Sequence, residues 1–173
     1  MHQLIILAGH PGSGKTSVAD ALASLGFVRL SIDDFYQTTP RDTTVGDWYR
    51  DEPFLDATYA AFEAAITNHL ARGERIVVET SGVGKRWRKL LAELTSTYAD
   101  RLAMIYLKIS RETSEARIRE RNATDYPIKI TDEAWLRDFF DRGEGLSAEY
   151  NHVIDAERPL KEVITEVEAI IAC

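Results

Sequence analysis

The string Gly9-His10-Pro11-Gly12-Ser13-Gly14-Lys15-Thr16 constrains this chain more than any other segment. It satisfies the pattern G-x-x-x-x-G-K-[ST], which works only where a strand hands over to a helix. Its flanks agree. Gln3–Ala8 is a short apolar run rich in Ile and Leu, as expected for a strand buried on both faces. After the loop, Val18, Ala21, Leu22 and Leu25 recur at helical spacing, and Gly26 supplies a stop. Glycines let the backbone come close to phosphate oxygens, and successive N–H groups at a helix N-terminus make an anion cup. Gly9, Pro11, Gly12, Ser13, Gly14, Lys15, Thr16 and Ser17 are therefore expected to cradle a nucleoside triphosphate. Lys15 would reach the β- and γ-phosphates, and the Thr16 hydroxyl would ligate Mg²⁺. His10 fills a free position of the pattern and is assigned no chemistry.

The rest of the chain alternates strand and helix periods. Phe27–Ile32 reads as a second strand. Leu55, Tyr59, Phe62 and Ile66 form one helical stripe, which Gly73 closes. Arg75–Glu79 is a third strand, and Trp87, Leu90, Leu91, Leu94 and Tyr98 mark another helix. Leu102–Ile109 is a fourth strand, and Ser110 is placed to cap a helix running to about Asn122. Trp135, Leu136, Phe139 and Phe140 suggest a further amphipathic helix. A short strand at His152–Asp155 precedes a last helix with Leu160, Val163, Ile164, Val167, Ile170 and Ile171 facing inward. Such alternation predicts an α/β fold with three layers, α/β/α, around a mostly parallel five-stranded sheet. No repeat or linker divides the 173 residues, so one domain spanning 1–173 is expected. The stretch from Asp33 to Glu74 is long for a crossover, and such extra length often carries substrate-binding structure.

Composition sets limits on partners and compartment. The formal net charge of −7 argues against a global field that gathers nucleic acid, although a local basic groove stays open. The single cysteine, Cys173, cannot form an internal disulfide. No apolar run approaches the ~20 residues that span a bilayer, and the N-terminus lacks a basic leader. A soluble cytoplasmic protein with no membrane partner is the expectation.

Four groups of side chains have the character that phosphoryl transfer needs. Asp33 and Asp34 follow the second strand at the edge that faces the crevice in open α/β sheets. A carboxylate there can take the proton of an acceptor hydroxyl, with Asp33 preferred over Asp34 as base. The competing role for one of them is to cap the following turn. Glu79 closes an otherwise apolar strand beside the expected phosphates, where it can hold a magnesium water or contact the acceptor. Arg117 and Arg121 share a helix face at i, i+4, whereas Arg119 points elsewhere, and arginines closing on γ-oxygens stabilise developing charge. The competing role is a solvated surface paired with Glu115 and Glu120. Ala123–Thr131, with Pro127, continues that helix into a small lid spanning about 111–131. Arg86, with Lys85, Arg88 and Lys89, forms a basic cluster that can receive an anionic acceptor or lie on a helix surface. Trp48 and Tyr49 fall in the inserted stretch, where an acceptor pocket can use them. Trp87, Trp135, Phe139 and Phe140 read as core.

GHPGSGKTS, SIDDFY, VVETSG and RIRERN, taken in this order, resemble P-loop kinases of the nucleoside-monophosphate-kinase-like superfamily. The likeness is strongest to polynucleotide 5′-hydroxyl kinase domains and zeta-toxin-type kinases. The resemblance implies ATP and Mg²⁺ as cofactors, Asp33 as acceptor-activating aspartate and one or both of Arg117 and Arg121 as lid arginines. It also implies a loop at Asp155–Pro159 that borders the adenine. Glu79 stands where zeta-toxin-like proteins have glutamate and the polynucleotide kinases have aspartate. The QTTPRDTTVGDWYRDEP stretch after SIDDFY matches neither family's acceptor site, and small-molecule kinases for gluconate, shikimate or antibiotics share the frame.

These features together predict an ATP-dependent phosphotransferase acting on a hydroxyl of a small-molecule or nucleotide-like acceptor. A polynucleotide 5′-kinase is the first alternative, to be recognised by a basic groove from Arg41 and Arg50 past Arg86 to Asp33. A nucleotide-binding regulator without an acceptor is the second. No N/T-K-x-D string of the kind that guanine-reading switches carry is present.

Overall fold

The structure is a computed structural model, and it describes residues 2–40, 51–125 and 130–172. Strand β1 (Leu4–Ala8) leads into α1 (Lys15–Ser24), and β2 (Val28–Ser31) runs directly into α2 (Ile32–Thr38). The long α3 (Glu52–Ala71) precedes β3 (Ile76–Thr80) and α4 (Lys85–Tyr98). Strand β4 (Leu102–Lys108), α5 (Arg111–Asn122), α6 (Glu133–Arg142), β5 (His152–Asp155) and α7 (Leu160–Ala172) complete the described chain.

The five strands lie in the order β2-β3-β1-β4-β5, and every pairing is parallel. Parallel pairing forces each connection to cross over a face of the sheet, which places helices on both sides. One face carries α1 and α7 over Ile5, Leu7, Ile105 and Leu107, with Val18, Leu22, Val163 and Val167 closing the layer. The other carries α3 and α4 over Leu4, Ile6, Ile76 and Val78, sealed by Phe62, Ile66, Trp87 and Leu90. Strand β1 is buried along its whole length, so it reads as an unbroken apolar run. Burial of each large side chain is worth about 1.5–3 kcal/mol.

Local chemistry fixes the helix starts. Asp51 accepts from Phe54 N, Ser110 from Thr113 N and Asp132 from Trp135 N, each satisfying an orphan donor. Two expectations need correction. Leu25 lies one residue beyond α1 and is 50% exposed, and Leu160 opens α7 at 46% exposed. Both sit at helix ends, where the inward-facing stripe runs out. The segment after the second strand, read only as a turn, forms α2. Among the described residues no helix is long and apolar enough to cross a membrane.

Candidate active site

Parallel register brings the carboxyl ends of the strands level. Ala8 pairs with Thr80 on one side and Tyr106 on the other, while Glu79 stands beside both Leu7 and Ser31. The Gly9–Thr16 loop leaves β1 at this edge, and Ser13 N donates to His10 O at 3.1 Å to close its turn. Gly9 passes so near β4 that a Cβ there would meet Leu107 O at 2.5 Å. Gly14 caps α1 with φ 88°, a left-handed conformation that side chains resist. The loop is thus shaped by backbone, leaving α1 to aim its first amides at the crevice.

Lys15 folds over the loop, donating to Gly9 O at 2.8 Å, His10 O at 3.0 Å and Ser13 Oγ at 3.4 Å. Burial is the main reason that its pKa falls to about 8, with Arg121 adding to the fall while Asp33 and Glu79 oppose it. The Thr16 hydroxyl donates to Glu79 Oε2 at 2.9 Å. Glu79 is almost wholly buried, which pushes its pKa up against the pull of Arg29, Thr16 and Lys15.

Asp33 occupies the first turn of α2 and is exposed to solvent. The surrounding protein strips hydration from its carboxylate and raises its pKa, despite attraction from Lys15, Arg121 and Arg29. A dehydrated carboxylate is a stronger base than a free one. Asp34, beside it, instead bonds Arg29 at 3.3 Å.

The two arginines of α5 have different surroundings. Arg117 donates to Gly12 O and Ala156 O, both at 3.0 Å, stapling the phosphate loop to the segment after β5. Ser114 reinforces this joint by donating to Pro11 O at 2.7 Å. Arg121 acts electrostatically on both Lys15 and Asp33, so it belongs to the crevice. Asn122 donates to Ile130 O at 2.6 Å and accepts from Ile130 N at 3.2 Å, clasping the connection between them. Most of that connection, including Pro127, lies outside the described residues, as do Arg41, Trp48, Tyr49 and Arg50.

Arg86 does not stand free for an anionic acceptor: it is paired with Glu52 and, at 2.6 Å, with Asp56. Ser17 is exposed on α1, behind the loop, and Lys85 and Lys89 are exposed on α4. Arg88 pairs with Glu149 at 3.5 Å.

Several site residues carry no sequence signal of their own. Tyr36 and Tyr59 bond hydroxyl to hydroxyl between Asp33 and Arg86, and burial raises the pKa of both. Arg29, alternating along a short strand, looks like a surface residue. His10 is buried, accepts or donates through Nδ1 to the Tyr106 hydroxyl at 2.8 Å, and stacks on Phe140 at 3.9 Å. Its pKa falls to about 4, through burial first and Lys15 second.

An anion cup at the carboxyl edge of a parallel β2-β3-β1-β4-β5 sheet, flanked by a carboxylate and an arginine-bearing helix, defines a P-loop kinase-like fold. The sequence of residues 4–139 matches the protein family described as AAA domain, and the chain belongs to that family. A gluconokinase from Sinorhizobium meliloti 1021 superposes with TM-score 0.69 at 24% identity, covering 99% of this chain and 94% of that one. Shikimate kinase from Acinetobacter baumannii, in complex with shikimate, gives TM-score 0.65 at 21% identity, with coverage of 99% and 94%. A chain of the Pnkp1/Rnl/Hen1 RNA repair complex gives 0.66 at 17% identity, covering 87% of this chain and 47% of that one. Among curated proteins none matches the sequence.

Proposed function

We propose that the protein is an ATP-dependent kinase that transfers the γ-phosphoryl group to a hydroxyl of a small, uncharged or weakly charged acceptor. The observation that carries this reading is the place of Asp33: it sits in the first turn of α2, directly after β2, at the strand edge where Ser31 stands beside Glu79 and the Gly9–Thr16 loop leaves β1. A base, a phosphate-binding ammonium and a guanidinium meeting at one crevice are the parts that in-line phosphoryl transfer requires.

In the reaction the loop amides and Lys15 hold the β- and γ-phosphates. Asp33 accepts the acceptor's O–H proton, the acceptor oxygen bonds to the γ-phosphorus, and the bond to the β,γ-bridging oxygen breaks. ADP leaves with that electron pair. Arg121 stabilises the charge that gathers on the γ-oxygens. Arg117 keeps the loop and the segment near Ala156 in register, and Asp155–Pro159 borders the base. Mg²⁺ fits the paired Thr16 hydroxyl and Glu79 carboxylate, since it favours oxygen ligands and takes few of them from protein. When bound it would neutralise phosphate charge.

The acceptor side is acidic. Arg86 is outnumbered by Glu52 and Asp56, and Arg29 by Glu79, Asp34 and Asp20. A polyanion would be repelled there, which supports a small-molecule acceptor over an oligonucleotide.

The test is phosphoryl transfer from labelled ATP across sugars, nucleosides, aminoglycosides and 5′-hydroxyl oligonucleotides. Label appearing on a small hydroxyl compound is the expected result. Label on oligonucleotides alone would establish the polynucleotide alternative. Slow ATP hydrolysis untouched by every acceptor, with nucleotide-dependent capture of a protein partner, would establish the regulator.

A further inference from the structure

Arg29 gathers three carboxylates from three different elements. Its Nη2 pairs with Glu79 Oε1 at the end of β3, its Nη1 lies 3.3 Å from Asp34 Oδ2 on α2, and its Nε lies 3.5 Å from Asp20 Oδ1 on α1. Asp20 is one helical turn beyond Thr16, so both project from the same side of α1. Thr16 in turn donates to the other oxygen of Glu79 at 2.9 Å. The result is a closed ring: Thr16 to Glu79, Glu79 to Arg29, Arg29 to Asp20, and Asp20 back along the helix to Thr16.

The partners in this ring are not equally buried. Glu79 is 3% exposed, whereas Asp34 and Asp20 are 53% and 63% exposed. The strong interaction is therefore the one with Glu79, because water screens the outer two. A lone glutamate at that depth would be costly to ionise and free to turn. With one oxygen held by a guanidinium and the other by Thr16, its plane and its charge are both set. Arginine's fixed fork suits this better than a lysine, which would satisfy one carboxylate at a time.

We infer that Arg29 is a positioning residue of the phosphoryl-transfer centre: it orients the Glu79 carboxylate against Thr16, and through Asp34 it anchors the helix that carries Asp33. Its effect falls on the metal-dependent part of nucleotide binding and on turnover, not on the phosphate cup, which is built from loop backbone and Lys15. This inference rests on the kinase reading. Partners that orient metal-binding groups typically change metal affinity or activity by about 10–100-fold when removed.

The experiment compares wild type, Arg29→Met and Arg29→Lys. Calorimetry measures affinity for a non-hydrolysable ATP analogue with Mg²⁺ and with EDTA, and steady-state kinetics gives kcat and KM separately. In Arg29→Met, metal-free affinity should stay within about twofold of wild type while the tightening conferred by Mg²⁺ shrinks at least about tenfold. The turnover number should fall by a similar factor with the analogue still bound. Arg29→Lys should recover part of both losses, and it carries the comparison should Arg29→Met not fold. Equal weakening with and without Mg²⁺, together with a lower melting temperature, would show a merely structural arginine and overturn the inference. So would unchanged values. Wild-type protein with no Mg²⁺-dependent nucleotide affinity would instead refute the kinase reading itself.

Discussion

The hydroxyl of Thr16 and the carboxylate of Glu79, 63 residues apart in the chain, meet at 2.9 Å across the gap between α1 and β3. This contact joins the helix that follows the phosphate loop to the strand beside it, and it makes Glu79 a test of whether the carboxylate serves chemistry or packing. Glu79→Gln keeps an oxygen for Thr16 but removes the charge that Arg29 faces. The folded state should survive, and the turnover number should fall by about 10–100-fold. Glu79→Ala strips both neighbours of their partner and should cost about 2 kcal/mol besides. Urea unfolding and steady-state kinetics on the two variants separate the roles; equal activity losses with unequal stabilities would assign Glu79 to catalysis.

On the proposed kinase reading, Asp33 and Lys15 act on different steps. Asp33→Asn removes proton acceptance and should lower the turnover number by about 10²–10⁴-fold with little change in ATP affinity. Parallel losses in turnover and affinity would mean that Asp33 holds structure instead. Lys15→Ala should abolish turnover, because the main countercharge of the γ-phosphate is gone.

On the same reading, Lys15 should make nucleotide binding sensitive to pH. Its pKa is pushed down to about 8, from an ordinary 10.5, mostly by burial. Phosphates in the cup favour the ammonium and lift that value back. At pH 8 about half of the unliganded protein has a neutral Lys15, so binding there should take up protons, and at pH 6 it should not. Calorimetry in buffers of different ionisation enthalpy measures the uptake. The same shift sets a stability trend: between pH 8 and 10.5 the unfolded chain holds the extra proton, so this group's contribution to stability rises with pH.

The helix α5 divides its labour, and the two arginines should separate kinetically. Arg117→Ala unpins Gly12 and Ala156, loosening both the loop and the segment after β5 that is proposed to border the base. Its expected signature is a raised KM for ATP and a lower melting temperature. Arg121→Ala removes charge facing Lys15 and Asp33, and should lower kcat by about 10²-fold with KM nearly unchanged. If the signatures were reversed, Arg117 would have to swing away from the loop during turnover.

How much of this was legible in the chain depends on the range of each signal. Strands β1, β3, β4 and β5, the Ser110 cap and the loop at Gly9 are local patterns, and the structure places each of them within a residue or two of its expected bounds. Asp33 and Glu79 stand out by their place at strand ends, and Arg121 by sharing a helix face with Arg117; the parallel register sets Glu79 beside Ser31, and the packing of α5 brings Arg121 within electrostatic reach of Lys15 and Asp33. Helix α2 was missed because seven residues give little periodicity. Arg29 was missed because a single arginine on an edge strand looks solvated until its three carboxylates arrive from elsewhere. Arg86 could be seen as basic, but its pairing with Glu52 and Asp56 depends on how α3 packs on α4. His10 is the instructive case, since a free position in a motif became a buried contact only through Tyr106 and Phe140.

That histidine supports a stability prediction. Burial holds its pKa near 4, below the usual 6.5, so the folded protein keeps it neutral where the unfolded chain would be charged. The unfolded state then binds more protons as pH falls through 6.5 towards 4, and the contribution that is full above 6.5 is lost across that window. The two pKa values bound the loss at about 3 kcal/mol. His10→Phe removes the titrating ring and leaves an aromatic to stack on Phe140, at the expense of the bond to Tyr106. Urea unfolding at pH 7 and pH 4.5 should show wild type losing about 2–3 kcal/mol more than the variant over that interval. Equal losses in the two proteins would mean that His10 titrates alike folded and unfolded, and that the stacked ring is open to water.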